Sequence, residues 1–313
     1  MTRNFALTGV AGFIAPRHLK AIVDNGHQIV AGCDPHDAVG ILDRFSFDVR
    51  FFTEFERFDR HLEKLRRGPE HKRVHYVSVC SPNYLHDAHI RLALRIGADA
   101  ICEKPVVIKP WNLDALQELE LETGRRVYTV LQLRLHPALR ALKEQLDRDP
   151  RHHVVELTYI TSRGRWYDVS WKGNAERSGG LAANIGIHFF DLLIWLFGGV
   201  TASDVHLSEP RRMSGSLTLK HATVRWFLSA DRNDLPANTP PGQTTYRSIE
   251  VDGSAIEFTD GFNDLHSRVY EEVLAGRGFG LDVARPSIEL VDRIRCAPVV
   301  APRLDAHRML AAS

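Results

Sequence analysis

The sequence has few cysteines, almost no excess charge and no long apolar segment. None of its four cysteines forms a CxxC pair, and 40 basic residues against 39 acidic ones give a formal net charge of +1. That balance indicates no surface for nucleic acid or an anionic membrane. The most apolar window, residues 185–197, is too short to span a bilayer. With a strand beginning at the N-terminus and no signal peptide, we expect a cytoplasmic protein with reduced thiols and no membrane association.

What is present is an ordinary globular composition of 313 residues, which favours two domains. The first half alternates apolar strands with amphipathic helices, as in an open parallel sheet. The predicted strands are residues 4–8, 28–33, 74–80, 98–102 and 127–133. The predicted helices are residues 16–25, 53–67, 86–96 and 110–123, the last ending at Gly124.

The first strand is followed by a glycine turn and, after the next strand, by an acid. Gly9 and Gly12 allow a backbone to approach a pyrophosphate at a helix N-terminus, and Phe13 and Ile14 complete the turn. Asp34 would accept hydrogen bonds from both adenosine ribose hydroxyls and repel a 2′-phosphate. Although the glycine spacing departs from the usual fingerprint, strand, turn, helix and acid together predict that this domain binds NAD.

A second signal is Glu103-Lys104-Pro105, directly after the apolar strand that ends at Cys102. Proline forces the chain out of the sheet, and ligands of open parallel sheets lie beyond the carboxyl ends of the strands. Lys104 is therefore placed where a cofactor and a substrate can meet. The alternative is a solvated Glu–Lys pair at a strand end.

The neighbouring strand ends at Ser81-Pro82-Asn83, whose small polar groups can contact a cofactor. His86 and His89 follow three residues apart, but no carboxylate or cysteine completes a metal site. We interpret both histidines as surface or cofactor-edge residues and expect no metal.

Beyond about residue 150, strand-like runs recur closely, at residues 154–161, 217–219, 223–229, 246–251 and 255–258. A hairpin signal lies at Asp252-Gly253, and residues 231–243 read as a long loop. We therefore expect an α/β protein with a dinucleotide-binding domain at residues 1–133. A second α/β domain at residues 134–313 would bind the substrate and carry a large, open, mostly antiparallel sheet.

The second domain also contains a glycine pair followed by polar residues in an apolar run. If residues 184–197 form a helix, Asn184 and His188 share a face and Asp191 lies one turn further on. Gly179 and Gly180 would let that helix pack close to another backbone. The alternatives are an N-cap for Asn184, a satisfied core histidine for His188, and for Asp191 a partner that fixes that histidine.

The glycine turn, the Glu103-Lys104-Pro105 tripeptide and the run from Gly179 to Asp191, in this order, resemble the Gfo/Idh/MocA oxidoreductases. The resemblance spans both halves of the chain. It implies a Rossmann domain joined to a C-terminal α/β domain with an open antiparallel sheet, through which members form dimers or tetramers. Segments 51–64, 80–91, 159–173 and 264–280 are similar to a bacterial subgroup, the UDP-N-acetylglucosaminuronate 3-dehydrogenases of the WlbA type.

That similarity implies NAD-dependent oxidation of the C3 hydroxyl of UDP-N-acetyl-D-glucosaminuronic acid to a 3-keto sugar. A downstream PLP-dependent aminotransferase would use the product, on a path to a diacetamido-mannuronic acid of surface polysaccharide (O-antigen). The resemblance also implies a homo-tetramer.

The resemblance assigns roles to individual residues. Lys104 and His188 would face the nicotinamide and the sugar, and either can be the base, because Asn184 stands where the family commonly has an aspartate. A diphosphate and a uronate need cationic donors and aromatic partners, and the alternative for each cation is a surface charge. The substrate site is expected at Lys104, Arg163, Tyr167, Lys172, Asn184, His188, Tyr246 and Arg247. The cofactor site is expected at Gly9, Gly12, Phe13, Ile14, Asp34, Ser81, Pro82, Asn83, His86, Glu103, Lys104, Gln132, Trp166 and Trp171.

Three questions stay open at this point. Another enzyme of the family, acting on a different sugar or a cyclitol, fits the same motifs. A non-catalytic NAD-binding regulator is a further possibility, because a fold does not imply activity. The residues also do not decide whether bound NADH is recycled by a keto acid such as 2-oxoglutarate or exchanged.

Overall fold

The computed structural model describes residues 2–37, 39–256, 258, 264–302 and 306–311. The chain forms two compact units, Met1–Gln132 with Asn263–Arg285, and Leu133–Phe262 with Pro286–Ser313. The sequence prediction divided the chain once, between residues 133 and 134, and did not place Asn263–Arg285 with the first unit. An amphipathic helix pattern shows that a segment packs against something, but not which sheet it packs against.

The strands and helices of the described residues have the following bounds. The strands are β1 Asn4–Thr8, β2 Gln28–Cys33, β3 Arg50–Phe52, β4 Tyr76–Val79, β5 Asp99–Cys102, β6 Val127–Thr129, β7 His153–Thr161, β8 Val200–Ser208, β9 Arg212–Leu219, β10 Ala222–Ser229, β11 Thr245–Val251 and β12 Ser254–Ala255. The helices are α1 Ala15–Asp24, α2 Val39–Leu42, α3 Phe55–Arg66, α4 His86–Arg95, α5 Pro110–Thr123, α6 Pro137–Arg148, α7 Trp166–Val169, α8 Ala175–Ser178, α9 Ile187–Phe197, α10 Leu265–Leu274, α11 Leu281–Cys296 and α12 Arg308–Ala311.

The first unit contains a parallel sheet in the order β3-β2-β1-β4-β5-β6. This is the strand order of the doubly wound dinucleotide-binding fold, so the predicted Rossmann architecture is confirmed. Every residue of β1 is buried, as expected of a central strand covered on both faces. The strand order brings the carboxyl ends of β1, β4 and β5 side by side at one edge of the sheet, and the glycine turn and Glu103-Lys104-Pro105 follow two of these ends.

The predicted strand at residues 127–133 is shorter in the structure. β6 ends at Thr129, and Gln132–Leu135 forms a 3₁₀ turn. Leu131 and Leu133 are still buried, at 3% and 5% exposed, so the apolar run continues past the end of the strand. A short buried run cannot by itself distinguish a strand from a tight turn.

Helix α10 returns to the first unit from far along the chain and packs against α1. Its buried face consists of Leu265, His266, Val269, Tyr270 and Val273. Further along the same segment, the carbonyl oxygen of Phe279 accepts a hydrogen bond of 2.8 Å from the backbone N–H of Thr129 in β6. The segment therefore completes the first unit by packing and by main-chain hydrogen bonding.

The second unit contains a mixed sheet in the order β12-β11-β7-β10-β9-β8. β7 and β10 are parallel, and the other neighbouring pairs are antiparallel, which confirms the mostly antiparallel prediction. β8 was not predicted, because its sequence VTASDVHLS is largely small and polar. The predicted strand at 255–258 appears only as β12, and Glu257 within that range lies outside the described residues.

Helix α9 forms the apolar centre of the second unit, with Phe190, Leu192, Leu193 and Phe197 fully buried. It is preceded by a π-helical turn at Ala182–Gly186. The helical run Ala175–Phe197 is long and apolar enough to cross a membrane by length and composition, but 72% of its most apolar window is buried inside the protein. Core helices of globular domains meet the same criterion.

Candidate functional site

The glycine turn after β1 packs tightly against the end of β4. Gly9 has a φ of +81°, and a Cβ at this position would lie 2.5 Å from the carbonyl carbon of Cys80. The backbone N–H of Gly9 donates to Cys33 at 2.8 Å, and that of Gly12 donates to Gly9 at 3.0 Å. Gly9 is therefore required by the left-handed backbone and by close packing. The turn also leaves the ring of Phe13 85% exposed, while Ile14 is half-buried as the N-cap of α1.

Asp34 joins the end of β2 to this turn. Its Oδ2 accepts a hydrogen bond of 2.9 Å from the backbone N–H of Ala11, and its Oδ1 accepts one of 2.9 Å from His36. Each carboxylate oxygen has a second lone pair, so the residue fits the two hydroxyls of a ribose. Among the described residues, the buried Oε1 of Gln132 has no hydrogen-bond partner, so this oxygen can accept a further hydrogen bond.

The end of β4 is braced by two buried histidines. The ring nitrogens of His86 lie 2.8 Å from the carbonyl oxygens of Ser81 and Pro105, and Nδ1 of His89 lies 2.8 Å from Oγ of Ser81. The histidines are 0% and 8% exposed, so the first of the two predicted alternatives, a surface position, was wrong. Burial, with a smaller contribution from His86, lowers the pKa of His89 to about 3. Both rings thus support the loop Ser81-Pro82-Asn83 from behind, where polar backbone atoms need partners.

Glu103 and Lys104 leave the sheet at the end of β5. The backbone N–H of Glu103 continues the pairing with β4 by donating to Val79 at 3.0 Å, and the following Lys104–Pro105 peptide is cis. Glu103 is only 8% exposed, so the alternative of a solvated Glu–Lys pair is excluded for the carboxylate. Lys104 is half-buried at the carboxyl edge of the sheet, as predicted from the tripeptide.

The Glu103 carboxylate is surrounded by donors. Its Oε1 lies 2.9 Å from Nε2 of His18 and 3.1 Å from Nε2 of His266. Burial raises the pKa of Glu103, but the hydrogen bonds from the two histidines outweigh it and hold that pKa well below its usual range. Sequence reasoning missed both histidines, because they come from opposite ends of the chain and belong to no local motif.

In the second unit, Lys172 lies against two tryptophans. Its Nζ is 5.3 Å from the ring centroid of Trp166 and 5.6 Å from that of Trp171. Burial, and then the charge of Arg163, lower the pKa of Lys172. Trp166 is 47% exposed. The Lys172 ammonium thus makes cation–π contacts with both rings, and part of the Trp166 ring stays accessible.

Asn184 lies in the π-helical turn, and its side chain hydrogen-bonds Tyr167. Tyr167 is 2% exposed, and burial raises its pKa. The N-cap of α9 is Gly186, so the alternative of Asn184 as an N-cap is wrong. In this structure Tyr167 supports Asn184 from the interior of the unit.

Asp191 has an arginine partner that the sequence did not reveal. Nε and Nη2 of Arg134 donate to its two carboxylate oxygens at 2.9 and 2.7 Å. The two side chains are 12% and 3% exposed, so the ion pair is buried. This pair connects the second turn of α9 to the 3₁₀ turn at Gln132–Leu135. Half-buried His188 lies near the start of the same helix.

The loop that carries Arg163 and Arg165 is held by a residue absent from the prediction. Arg211 donates to the carbonyl oxygens of Arg163 and Gly164 at 3.0 and 3.2 Å. Its guanidinium also pairs with the two carboxylate oxygens of Asp168 at 3.1 and 2.8 Å. Arg211 follows β8, more than 40 residues along the chain, so no sequence spacing indicated the contact.

The predicted substrate residues Tyr246 and Arg247 lie next to each other on β11, opposite Ile160 and Tyr159 of β7. Successive residues of a strand point to opposite faces. The guanidinium of Arg247 lies 5.9 Å from the ring centroid of Tyr159. The structure therefore places the two side chains on different faces of the sheet, and one ligand on a single face would contact only one of them.

Comparison with known proteins identifies both units. Residues 3–131 match the Gfo/Idh/MocA model described as the oxidoreductase family, NAD-binding Rossmann fold. Residues 149–229 match its companion model, the C-terminal alpha/beta domain.

Two solved structures of one relative align over nearly the whole chain. Both are of the WlbA (WbpB) dehydrogenase from Thermus thermophilus, which is 52% identical in sequence. One, in complex with NAD and alpha-ketoglutarate, covers 99% of this chain and 100% of the relative, with a TM-score of 0.95. The other, in complex with NAD and UDP-GlcNAcA, covers 98% and 99%, with a TM-score of 0.94.

Curated relatives are more distant. The inositol 2-dehydrogenase of Rhizobium meliloti (strain 1021) is 28% identical over 201 residues, which is 63% of this chain and 56% of the relative. The D-glucoside 3-dehydrogenase of Escherichia coli (strain K12) is 30% identical over 128 residues, which is 39% of this chain and 35% of the relative. The chain therefore spans about half or less of the length of these relatives.

Proposed function

Because the chain belongs to the Gfo/Idh/MocA oxidoreductase family, we propose that it oxidises the C3 hydroxyl of UDP-N-acetyl-D-glucosaminuronic acid with NAD. The observation that carries this proposal is the 52% identity, over nearly the whole of both chains, to a dehydrogenase whose structure holds NAD and UDP-GlcNAcA. The product is the 3-keto sugar. We place the enzyme in the cytoplasm, before a PLP-dependent aminotransferase on the path to a diacetamido-mannuronic acid of O-antigen, and propose that it forms a homo-tetramer.

The first unit contains the proposed cofactor contacts. Gly9 and Gly12 bring the backbone and the N-terminus of α1 to the pyrophosphate. Asp34 takes the ribose hydroxyls with its two remaining lone pairs, and its charge excludes a 2′-phosphate. Ser81-Pro82-Asn83, supported by His86, and Gln132 complete the cofactor contacts. NAD, when bound, accepts the hydride.

Oxidation of a secondary alcohol also needs a base for the hydroxyl proton. Lys104 is our first candidate, because it follows β5 at the carboxyl edge of the parallel sheet. His188 is the second candidate, because an imidazole can accept a proton near neutral pH. Asn184 cannot act as a base, and we propose that it orients a substrate hydroxyl by hydrogen bonds. Arg163 and Lys172 are the proposed cationic contacts for the diphosphate or the uronate.

The Lys104→Ala variant tests the assignment of the base. Turnover should fall at least about 100-fold, because a positioned general base contributes roughly 10²–10⁴ to the rate. NAD affinity should be retained, since the glycine turn and Asp34 are untouched. Lys109→Ala, five residues further along, is the matched control and should keep its turnover. Turnover of the Lys104 variant near the wild-type rate would eliminate Lys104 and leave His188 as the base.

A second candidate function is oxidation of another polyol by the same residues. The similarity to an inositol 2-dehydrogenase and a D-glucoside 3-dehydrogenase supports including these substrates in the assay. A panel of UDP-N-acetylglucosaminuronic acid, myo-inositol and a D-glucoside, each with NAD, separates the two. Preference for either of the last two would replace the proposed substrate without changing the proposed chemistry.

A further inference from the structure

Beneath the end of β5 lies a hydrogen-bonded cluster of five buried side chains from the first unit. Its members are Ser78 of β4, Glu103 after β5, His18 of α1, and His266 and Tyr270 of α10. None is more than 8% exposed. We call this group the Glu103 cluster. The cluster connects α1, which follows the glycine turn, to the end of β5, which precedes Lys104. The connection includes α10, which comes from much later in the sequence.

The chemistry of the cluster fixes the direction of each hydrogen bond. An ionised carboxylate only accepts, so Nε2 of His18 and Nε2 of His266 both carry a proton and donate to Oε1 of Glu103. Burial lowers the pKa of His18, which keeps its ring neutral near pH 7. Nδ1 of His18 then accepts from the Tyr270 hydroxyl at 2.8 Å, and the hydroxyls of Tyr270 and Ser78 lie 2.6 Å apart.

The other carboxylate oxygen of Glu103 acts on the neighbouring residue. Oε2 accepts a hydrogen bond of 3.2 Å from the backbone N–H of Lys104. A carboxylate this deeply buried is tolerated only where donors compensate for its lost hydration. The two histidines supply that compensation and at the same time fix the orientation of the carboxylate. The Lys104 backbone N–H therefore donates to a carboxylate whose position is fixed by hydrogen bonds from the two imidazoles.

We propose that His18 and His266 are positioning residues, which hold the Glu103 carboxylate so that it fixes the backbone from which the Lys104 side chain extends. This rests on the proposed function, in which Lys104 is the first candidate for the base. Neither histidine takes part in proton transfer from the substrate. The hydrogen bonds that run from His18 through Tyr270 end at Ser78, which is 0% exposed, so this branch offers no route for a proton to solvent.

The same residues raise one competing possibility. Ligand-type atoms of His18, Glu103 and His266 lie within 4.8 Å of one another, close enough for a metal ion to bridge them. The contacts of 2.9 and 3.1 Å to Glu103 are ordinary hydrogen-bond lengths and account for the arrangement through protons alone. Metal analysis of the purified wild-type protein is therefore part of the test.

Two substitutions of His266 separate donation from packing. His266→Leu removes the N–H donor, whereas His266→Gln replaces it with an amide N–H at a similar distance from the backbone. The Leu variant should lose about 10- to 100-fold in kcat, because small misplacements of a reacting group cost up to roughly 10². KM for the sugar and the affinity for NAD should change by less than about threefold, and the Gln variant should recover most of kcat. His71→Leu, an exposed histidine of the same unit, is the control and should match the wild type.

Wild-type kcat in the Leu variant, or equal losses in the Leu and Gln variants with both folded and binding NAD, would overturn the proposal. So would a stoichiometric metal whose removal abolishes turnover. Nitrogen-15 NMR of the wild-type histidines provides a readout without substrate, in which protonated Nε2 and unprotonated Nδ1 are expected for His18. That result is independent of the substrate assignment. Protonation of Nδ1 alone on His18 would overturn the proposed direction of the hydrogen bonds even if the enzyme oxidises the expected sugar.

Discussion

At the scale of single residues, Asp34 is the side chain that we propose selects the cofactor of the first unit. Its oxygens already accept from Ala11 and His36, and this pair of backbone donors fixes the plane of the carboxylate. A ribose with two hydroxyls can use the lone pairs that remain. A 2′-phosphate would bring negative charge against a buried anion. We therefore expect a preference for NAD over NADP that depends on one side chain, whose orientation is set by the backbone.

The Asp34→Ser variant should relax this preference. The ratio of kcat/KM for NADP to that for NAD should rise by roughly tenfold or more, because removal of a like charge is worth at least about 1.4 kcal/mol. Asp37→Ser, at an exposed position in the following loop, should leave the ratio unchanged. Initial rates with both cofactors measure it. An unchanged ratio in the Asp34 variant would remove the ribose role from this residue.

The residues that a sequence can reveal are those in local motifs. Asp34 and Lys104 could be predicted, because each follows a recognisable strand at an expected spacing. His18, His266 and Arg211 could not, because their significance depends on contacts with distant segments. Asp191 was recognised as notable, but its arginine partner lies 57 residues away in sequence.

At the scale of elements, the turn after β1 illustrates how backbone geometry restricts sequence. Gly9 and Gly26 both have positive φ, at +81° and +75°. A Cβ on Gly26 meets nothing within 4 Å, whereas one on Gly9 would overlap the backbone of Cys80 and Ser81. The two positions therefore separate the cost of backbone strain from the cost of a steric clash.

Alanine substitutions at these two glycines should differ in their effect on the free energy of unfolding. Gly26→Ala should lose about 1 kcal/mol through its left-handed backbone alone. Gly9→Ala should lose roughly 1–3 kcal/mol more, because the turn must move away from β4, and its NAD affinity should fall as well. Denaturant titration and NAD binding measure both effects. Equal stabilities of the two variants would mean that the turn can move away from β4 without cost.

Elements with strong patterns were predicted well, and β1, β2 and α5 have the predicted bounds. The misses have local causes. β8 lacks the apolar alternation of a strand, and β6 ends early because the buried run continues as a 3₁₀ turn. The π-helical turn at Ala182–Gly186 also has no pattern in the sequence that separates it from the first turn of α9.

At the scale of the whole molecule, the chain builds two units, each with its own sheet, and crosses between them more than once. Residues Asn263–Arg285 return to the first unit, where α10 supplies His266 and Tyr270 to the cluster beneath Lys104. The C-terminal part of the sequence thus contributes to the unit that carries the proposed cofactor residues. The fold class followed from the order of strands and helices, but this return did not, because it depends on which surface remains uncovered.

We propose that this chain oxidises C3 of UDP-N-acetylglucosaminuronic acid with NAD. The most direct test incubates the wild-type protein with both compounds and reads NADH absorbance and product mass together, with and without 2-oxoglutarate. We predict a sugar nucleotide lighter by two hydrogens. If bound NADH is recycled, 2-oxoglutarate should also be reduced to the corresponding hydroxy acid. NAD binding without any such product, under either condition, would contradict the proposed substrate.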